Sequence, residues 1–244
     1  MLRSLVGSEM CIRDRFSIIF ESCVAGVGNS LVVESDNKNY TDFEMVTYII
    51  GWLISISCSC FVALYQPFMT LWVGKEYLMD FSLVGCMIVY FFLYEIDQLI
   101  GMYKDAAGIW YTDRYRPLIS AMGNLIMNII LVQICGLYGV LLSTIIALII
   151  IDLPWLIHNV FKTLFREQNA IKYILELFKI AIYTVVSSVL VYMICLKIDY
   201  EGIIGLVVHF IVAVLLSAVV MFVGEFKSSK FVKFKRIIWG LIKG

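Results

Sequence analysis

The sequence predicts an all-α integral membrane protein, and three observations carry that prediction. Of 244 residues, 61% are hydrophobic and 16% charged, with a mean hydropathy of +0.92; a soluble domain has roughly 45–50% apolar and about 25% charged residues. The apolar residues gather into runs close to the roughly 20 residues that a helix needs to cross a bilayer. Lys and Arg divide unevenly between alternate loops, although 19 Lys+Arg balance 19 Asp+Glu overall. This composition excludes intrinsic disorder, which requires low hydrophobicity, and a nucleic-acid binder, which requires a basic excess.

Residues 1–15 read MLRSLVGSEMCIRDR. They do not form a signal peptide, because charge returns at Glu9 before the required apolar stretch has formed. Ser4 to Arg15 resembles a translated sequencing adapter, so residues 1–15 are expected to be a non-native leader, with Phe16 to Val33 the tail of a helix that has lost its start. Six full spans come after it. Met45 to Tyr65 lies in an uncharged run that Pro67 interrupts. Phe81 to Tyr103 is apolar until Glu95 and Asp97. Pro117 to Cys135 starts on a proline, whose missing N–H costs nothing at a helix start. The turn Gly136 to Gly139 is so short that Tyr138 to His158 must return antiparallel to it. Ile174 to Leu196 and Gly202 to Gly224 complete the set. A polar stretch around Lys162 to Lys172 marks the one sub-boundary. The predicted organisation is residues 16–158 (truncated helix plus four spans), 174–224 (two additional transmembrane helices) and 225–244 (a basic tail).

Lys and Arg are retained on the cytoplasmic side of short loops. Counted over alternate loops, one side of the membrane holds fourteen and the other only Lys75 and Lys197. The richer side includes the loops 34–44, 104–116 and 159–173 and the tail, so the C-terminus is expected to be cytoplasmic. The tail mixes Lys with Phe, Ile and Trp239 without segregating them on a helical wheel, and reads as a basic segment held by anionic lipids.

Polar groups inside a span are expensive unless they meet a partner or a wet cavity. In the third span Arg116, Ser120, Asn124 and Asn128 recur every four residues and form one stripe. Two readings stand beside each other: helix packing through Ser and Asn hydrogen bonds, or the polar wall of a cavity. At 1.5 Å per residue, Glu95 lies about 21 Å beyond Phe81, and Asp152, followed by the kink-forming Pro154, reaches a similar depth. Glu95, Asp97, Lys104, Arg114, Arg116 and Asp152 are therefore expected to converge near the inner leaflet. They could be mutually neutralising ion pairs, or a vestibule whose Arg and Lys receive an anionic headgroup through bidentate hydrogen bonds.

Other features are structural in character. Five cysteines (Cys58, Cys60, Cys86, Cys135 and Cys195) lie in apolar runs and read as small hydrophobes. Gly51, Ser55 and Ser59 form a small-residue stripe, as do Gly205, His209, Ala213 and Ser217, with His209 read as a packed polar member of its stripe rather than a proton carrier. No glycine-rich phosphate loop, serine elbow or metal-binding carboxylate spacing is present. No enzyme, cofactor, metal or nucleic-acid partner is expected.

Several segments then resemble the C-terminal half of bacterial polysaccharide biosynthesis flippases, in the multidrug/oligosaccharidyl-lipid/polysaccharide exporter superfamily. They are Gly26-Val27-Gly28-Asn29-Ser30, the run from Tyr65 to Gly74, Ala106-Ala107-Gly108-Ile109-Trp110 with Arg114-Tyr115-Arg116-Pro117-Leu118, and Gly136 to Gly139 with Ser143-Thr144. The resemblance implies the C-terminal lobe of a two-lobe, MATE-like transporter fold plus two extra C-terminal helices, with the N-terminal lobe of the same protein missing. It implies a bacterial cytoplasmic membrane location and translocation of an undecaprenyl-diphosphate-linked oligosaccharide. On that reading Arg114, Arg116 and Lys104 would meet the diphosphate, Asn124 and Asn128 would face sugar hydroxyls, and the fragment alone would be inactive. The alternative in the same superfamily is a drug or cation antiporter with Glu95, Asp97 or Asp152 as coupling acids. A non-transporting assembly subunit is the alternative from another class.

Overall fold

In a hydrocarbon medium every backbone N–H and C=O has to be satisfied internally, which leaves helices as the economical solution for these sequences. The computed structural model describes the backbone of residues 2–198, 202–226, 228 and 230–235, and the side chains of that set from Ser17 onward. Among the described residues there are helices and turns and no strand: α1 (Leu2–Val33), α2 (Asp36–Trp72), a short 3-10 turn at Lys75–Tyr77, α3 (Phe81–Ala106), α4 (Arg116–Cys135), α5 (Leu137–Ala147), a π-turn at Leu148–Asp152, α6 (Leu153–Thr163), α7 (Ala170–Cys195) and α8 (Gly202–Glu225). Six of these segments are long and apolar enough to cross a membrane, α5 through α6 counting as one. The protein is a multi-pass all-α membrane protein.

The spans lie where hydropathy places them, with two differences. Helix α2 runs from Asp36 through Pro67 to Trp72, where the expected span was Met45 to Tyr65, so most of the expected 34–44 loop is helical. Proline is tolerated inside membrane helices, and the one carbonyl that Pro67 deprives of its N–H partner is that of Ala63, four residues back. Helix α1 begins at Leu2; the side chains of the leader, residues 1–15, lie outside the described set.

The chain forms two compact units: residues 1–42 with 93–170, and residues 43–92 with 171–244. In the first unit α4 and α5 pack as an antiparallel hairpin across a turn made by Gly136 alone, the expected 136–139 turn being helical from Leu137 onward. The approach is so close that a Cβ on Gly139 would land on the backbone of Leu131 and Val132. Tyr40 packs edge-on against Phe161 and Phe165 at 6.2 and 5.3 Å.

The second unit is held by small and hydroxylated residues. The Gly51, Ser55, Ser59 stripe of α2 lies along α7. Ile180 covers Gly51, where a Cβ would come within 2.9 Å of it. Thr184 donates to Ser55 Oγ at 3.1 Å, and the Ser59 and Ser187 hydroxyls pair at 3.0 Å. Further along, Ala63, Val191 and Ala213 bring α2, α7 and α8 into one apolar cluster. The buried face of α8 recurs every fourth residue, Gly205, His209, Ala213, Ser217, Met221 and Glu225, so both small-residue stripes are packing faces. Helices α7 and α8, read from sequence as an added pair, share this unit with residues 43–92.

Two substitutions should separate these modes of packing. Gly139→Ala should destabilise the protein by about 1–3 kcal/mol, the cost of overpacking against backbone. Ser59→Ala should cost only about 0.6 kcal/mol, the mean worth of an interhelical hydrogen bond in a membrane. Unfolding titrations in mixed micelles measure both.

Candidate functional site

The site belongs to the first unit and is assembled from α3, the loop after it, α4, and the π-turn leading into α6. Helix α3 ends on a glycine cap. Gly108 takes φ +66°, Gly108 N–H bonds the Asp105 carbonyl and Ile109 N–H the Lys104 carbonyl (3.1 and 3.0 Å), the paired bonds of a Schellman motif. The chain reverses there, which brings Trp110 over the ammonium of Lys104 (4.6 Å to the ring centroid) and returns Asp113 towards α3.

Asp113 is the hub. It is 3% exposed, and its carboxylate accepts from Arg116 Nε with both oxygens (2.9 and 3.1 Å) and from Asn159 Nδ2 of α6 (3.2 Å). Lys104 Nζ lies 3.4 Å from it and 2.7 Å from Asp105. The Arg116 guanidinium then reaches across: Nη1 bonds Asp152 Oδ1 at 2.9 Å and stands 3.7 Å from Asp97 Oδ1. Ser120, one turn along α4, donates to the other oxygen of Asp152.

Asp152 can be reached because of the π-turn. Pro154 offers no N–H to the carbonyl four residues back, and the helix takes up the disruption as an i→i+5 turn over Leu148–Asp152, a form often found at functional sites. The extra residue rotates the next stretch of helix by about 100° relative to an uninterrupted one. Asp152, at the end of the π-turn, and Asn159, two turns further on in α6, then meet Arg116 and Asp113.

Of the residues singled out by sequence, the structure brings Asp97, Lys104, Arg116 and Asp152 into one network. Glu95 is fully buried; two residues from Asp97, it projects from another side of α3, and Asp97 is the one that reaches Arg116. Asn124 and Asn128 continue the Arg116 and Ser120 stripe on the half-buried face of α4, and Asn124 Oδ1 is shielded without a hydrogen-bond partner. Arg114 stands apart. It is exposed, its guanidinium lies over the rings of Tyr111 (4.2 Å) and Tyr115 (4.6 Å), and no ion pair engages it among the described residues.

Sequence reasoning missed Asp113 and Asn159. Both carried a signal: Asp113 is three residues before Arg116, a spacing that pairs charges across a helical turn, and Asn159 is seven residues after Asp152, a spacing that returns to the same helix face.

The electrostatics are set by the count of charges. Asp97, Asp105, Asp113 and Asp152 face Lys104 and Arg116, so the network holds two more carboxylates than cations. An anion approaching Arg116 would meet three carboxylates, each repelling it by roughly 4 kcal/mol at 4 Å and an effective dielectric near 20. Chemically, Arg116 holds the network together, while a cation or a proton is the species that would relieve its excess charge.

No family model, curated protein or solved structure matches the chain.

Removing Arg116 should be far more damaging than removing one of its partners. Arg116→Gln leaves three carboxylates facing one another and is expected to cost about 3–5 kcal/mol, the range for an orphaned buried charge. Arg116→Lys should recover little of it, because an ammonium cannot place donors on Asp113 and Asp152 with the planar fork of a guanidinium. Thermal melting of the purified protein, with Arg114→Gln as a surface control within about 0.5 kcal/mol of wild type, checks the ranking.

Proposed function

We propose that the chain is the C-terminal lobe, with an added helix pair, of a transporter that moves an undecaprenyl-diphosphate-linked oligosaccharide across a bacterial cytoplasmic membrane. The motif resemblance supports this reading, and one observation carries it: within three residues the chain places an exposed guanidinium, free of carboxylates among the described residues and flanked by two tyrosine faces, beside one fully committed to them. Arg114 has the properties of an interfacial phosphate contact. Its fork can bind two phosphate oxygens, and exposed Trp110, Tyr111 and Tyr115 are residue types enriched where headgroups meet hydrocarbon.

Arg116 and Lys104 take a different role. Held by carboxylates, they position the 107–115 loop rather than receive the headgroup. Asn124 and Asn128 remain the candidates for sugar hydroxyls, and the C-terminus is assigned to the cytoplasmic side by the distribution of Lys and Arg.

The carboxylate excess around Arg116 favours a second reading, a cation- or proton-coupled antiporter in which Asp97 and Asp152 exchange the coupling ion. The two readings separate in proteoliposomes containing this lobe joined to an N-terminal one. For the flippase, Arg114→Gln should lower translocation of a fluorescent diphosphate-linked oligosaccharide at least tenfold without changing the melting temperature; undiminished flipping would remove Arg114 from the mechanism. For the antiporter, Asp97→Asn and Asp152→Asn should abolish ion-driven efflux of a cationic dye, and efflux surviving both changes would eliminate that reading.

A further inference from the structure

A second charged cluster lies in the other unit, where α2 and α7 begin and α8 ends. Five side chains alternate in sign along it. Lys230 Nζ is 3.1 Å from Glu44 of α2 and 3.4 Å from Glu176 of α7, and Lys179 Nζ is 2.8 Å from Glu176 and 2.9 Å from Glu225 of α8. Three carboxylates face two ammonium groups, and without Lys230 they would face one.

Lys230 lines a small crevice together with Glu44 and Glu176, and Thr47, Tyr48, Tyr173 and Ile180 complete its wall. Its side chain is 18% exposed, whereas Lys233 and Lys235, in the same helical segment 230–235, face outward. Phe234, one turn after Lys230 and on the same face, lies 5.9 Å from the rings of both Tyr48 and Trp52. A lysine serving only an anionic bilayer would point outward like its neighbours. This one is inserted between two acids and seated by an aromatic anchor.

We propose that the crevice is a binding site for a primary ammonium group and that Lys230 is its tethered occupant. A –NH₃⁺ group supplies three donors on a compact point charge, enough for both glutamates. A quaternary ammonium has no N–H to give them. Because Lys230 is covalently attached, it competes at an effective concentration of millimolar order. The tail therefore holds the site ahead of outside ammonium groups present below that concentration. The outside group could be a soluble alkylamine or the headgroup of an ethanolamine lipid, and the two sources are separable.

The test uses the full chain in nanodiscs with Lys230→Ala. In phosphatidylcholine discs the variant should melt several degrees below wild type. Millimolar n-butylammonium should raise its melting temperature saturably and by several times more than it raises that of wild type, and tetramethylammonium at equal ionic strength should do nothing. Recovery on changing to phosphatidylethanolamine discs would identify the lipid headgroup as an occupant; recovery with butylammonium alone would identify soluble amines. If neither stabilises the variant more than wild type, the proposal is overturned. A second measurement does not depend on the variant folding. In the wild-type protein a water-soluble acylating ester should modify Lys230 at least fivefold more slowly than Lys233, and Glu44→Gln/Glu176→Gln should bring the two rates together. Equal rates in wild type would sink the idea.

Discussion

A guanidinium drawn in from the headgroups to the start of a membrane helix is costly unless carboxylates neutralise it. Arg116 imposes that constraint on the whole first unit. Its three carboxylate partners come from α3, from the loop after α3 and from the π-turn before α6. The glycine reversal at Gly108 delivers Asp113 and the π-turn ahead of Pro154 delivers Asp152, while Asp97 stands on α3 itself. Without the reversal Asp113 would not return to α3, and without the π-turn Asp152 would face elsewhere.

The second unit solves the same packing problem by other means. Its helices approach through Gly, Ala and Ser, with hydroxyl pairs such as Ser59 and Ser187 crossing the interface, and its ion pairs gather at one end, where α2 and α7 begin. The consequences differ. Small-residue contacts are short-ranged and individually weak, so their strength lies in number. A buried charge network carries a large desolvation cost that is offset only in one geometry, which makes it a specifying device and a natural place for two discrete arrangements.

The position of Arg114 beside Arg116 shows how much local context decides. The two residues carry the same charge, lie two positions apart and flank Tyr115. One extends over tyrosine rings and meets no acid among the described residues, and the other is enclosed by three. Composition treats them as equivalent members of a basic loop. Lys230 and Lys233 repeat the pattern in the tail.

The sequence by itself determined the class, the six spans and most of their limits, because span length and hydropathy answer to the bilayer and not to neighbouring helices. It also determined which helix faces are polar: the Gly51, Ser55, Ser59 and Gly205, His209, Ala213, Ser217 stripes were legible from a four-residue recurrence. Tertiary structure decided who meets whom. Asp113 and Asn159 were passed over because the first sits in a loop, outside any periodic pattern, and the second is an ordinary amide until Asp113 folds against it. The π-turn, the closure of Arg116 by carboxylates and the capture of Lys230 by Glu44 and Glu176 depend on distances between segments far apart in the chain. Charge pairing falls off with separation in space, and separation in space is what a linear pattern does not contain.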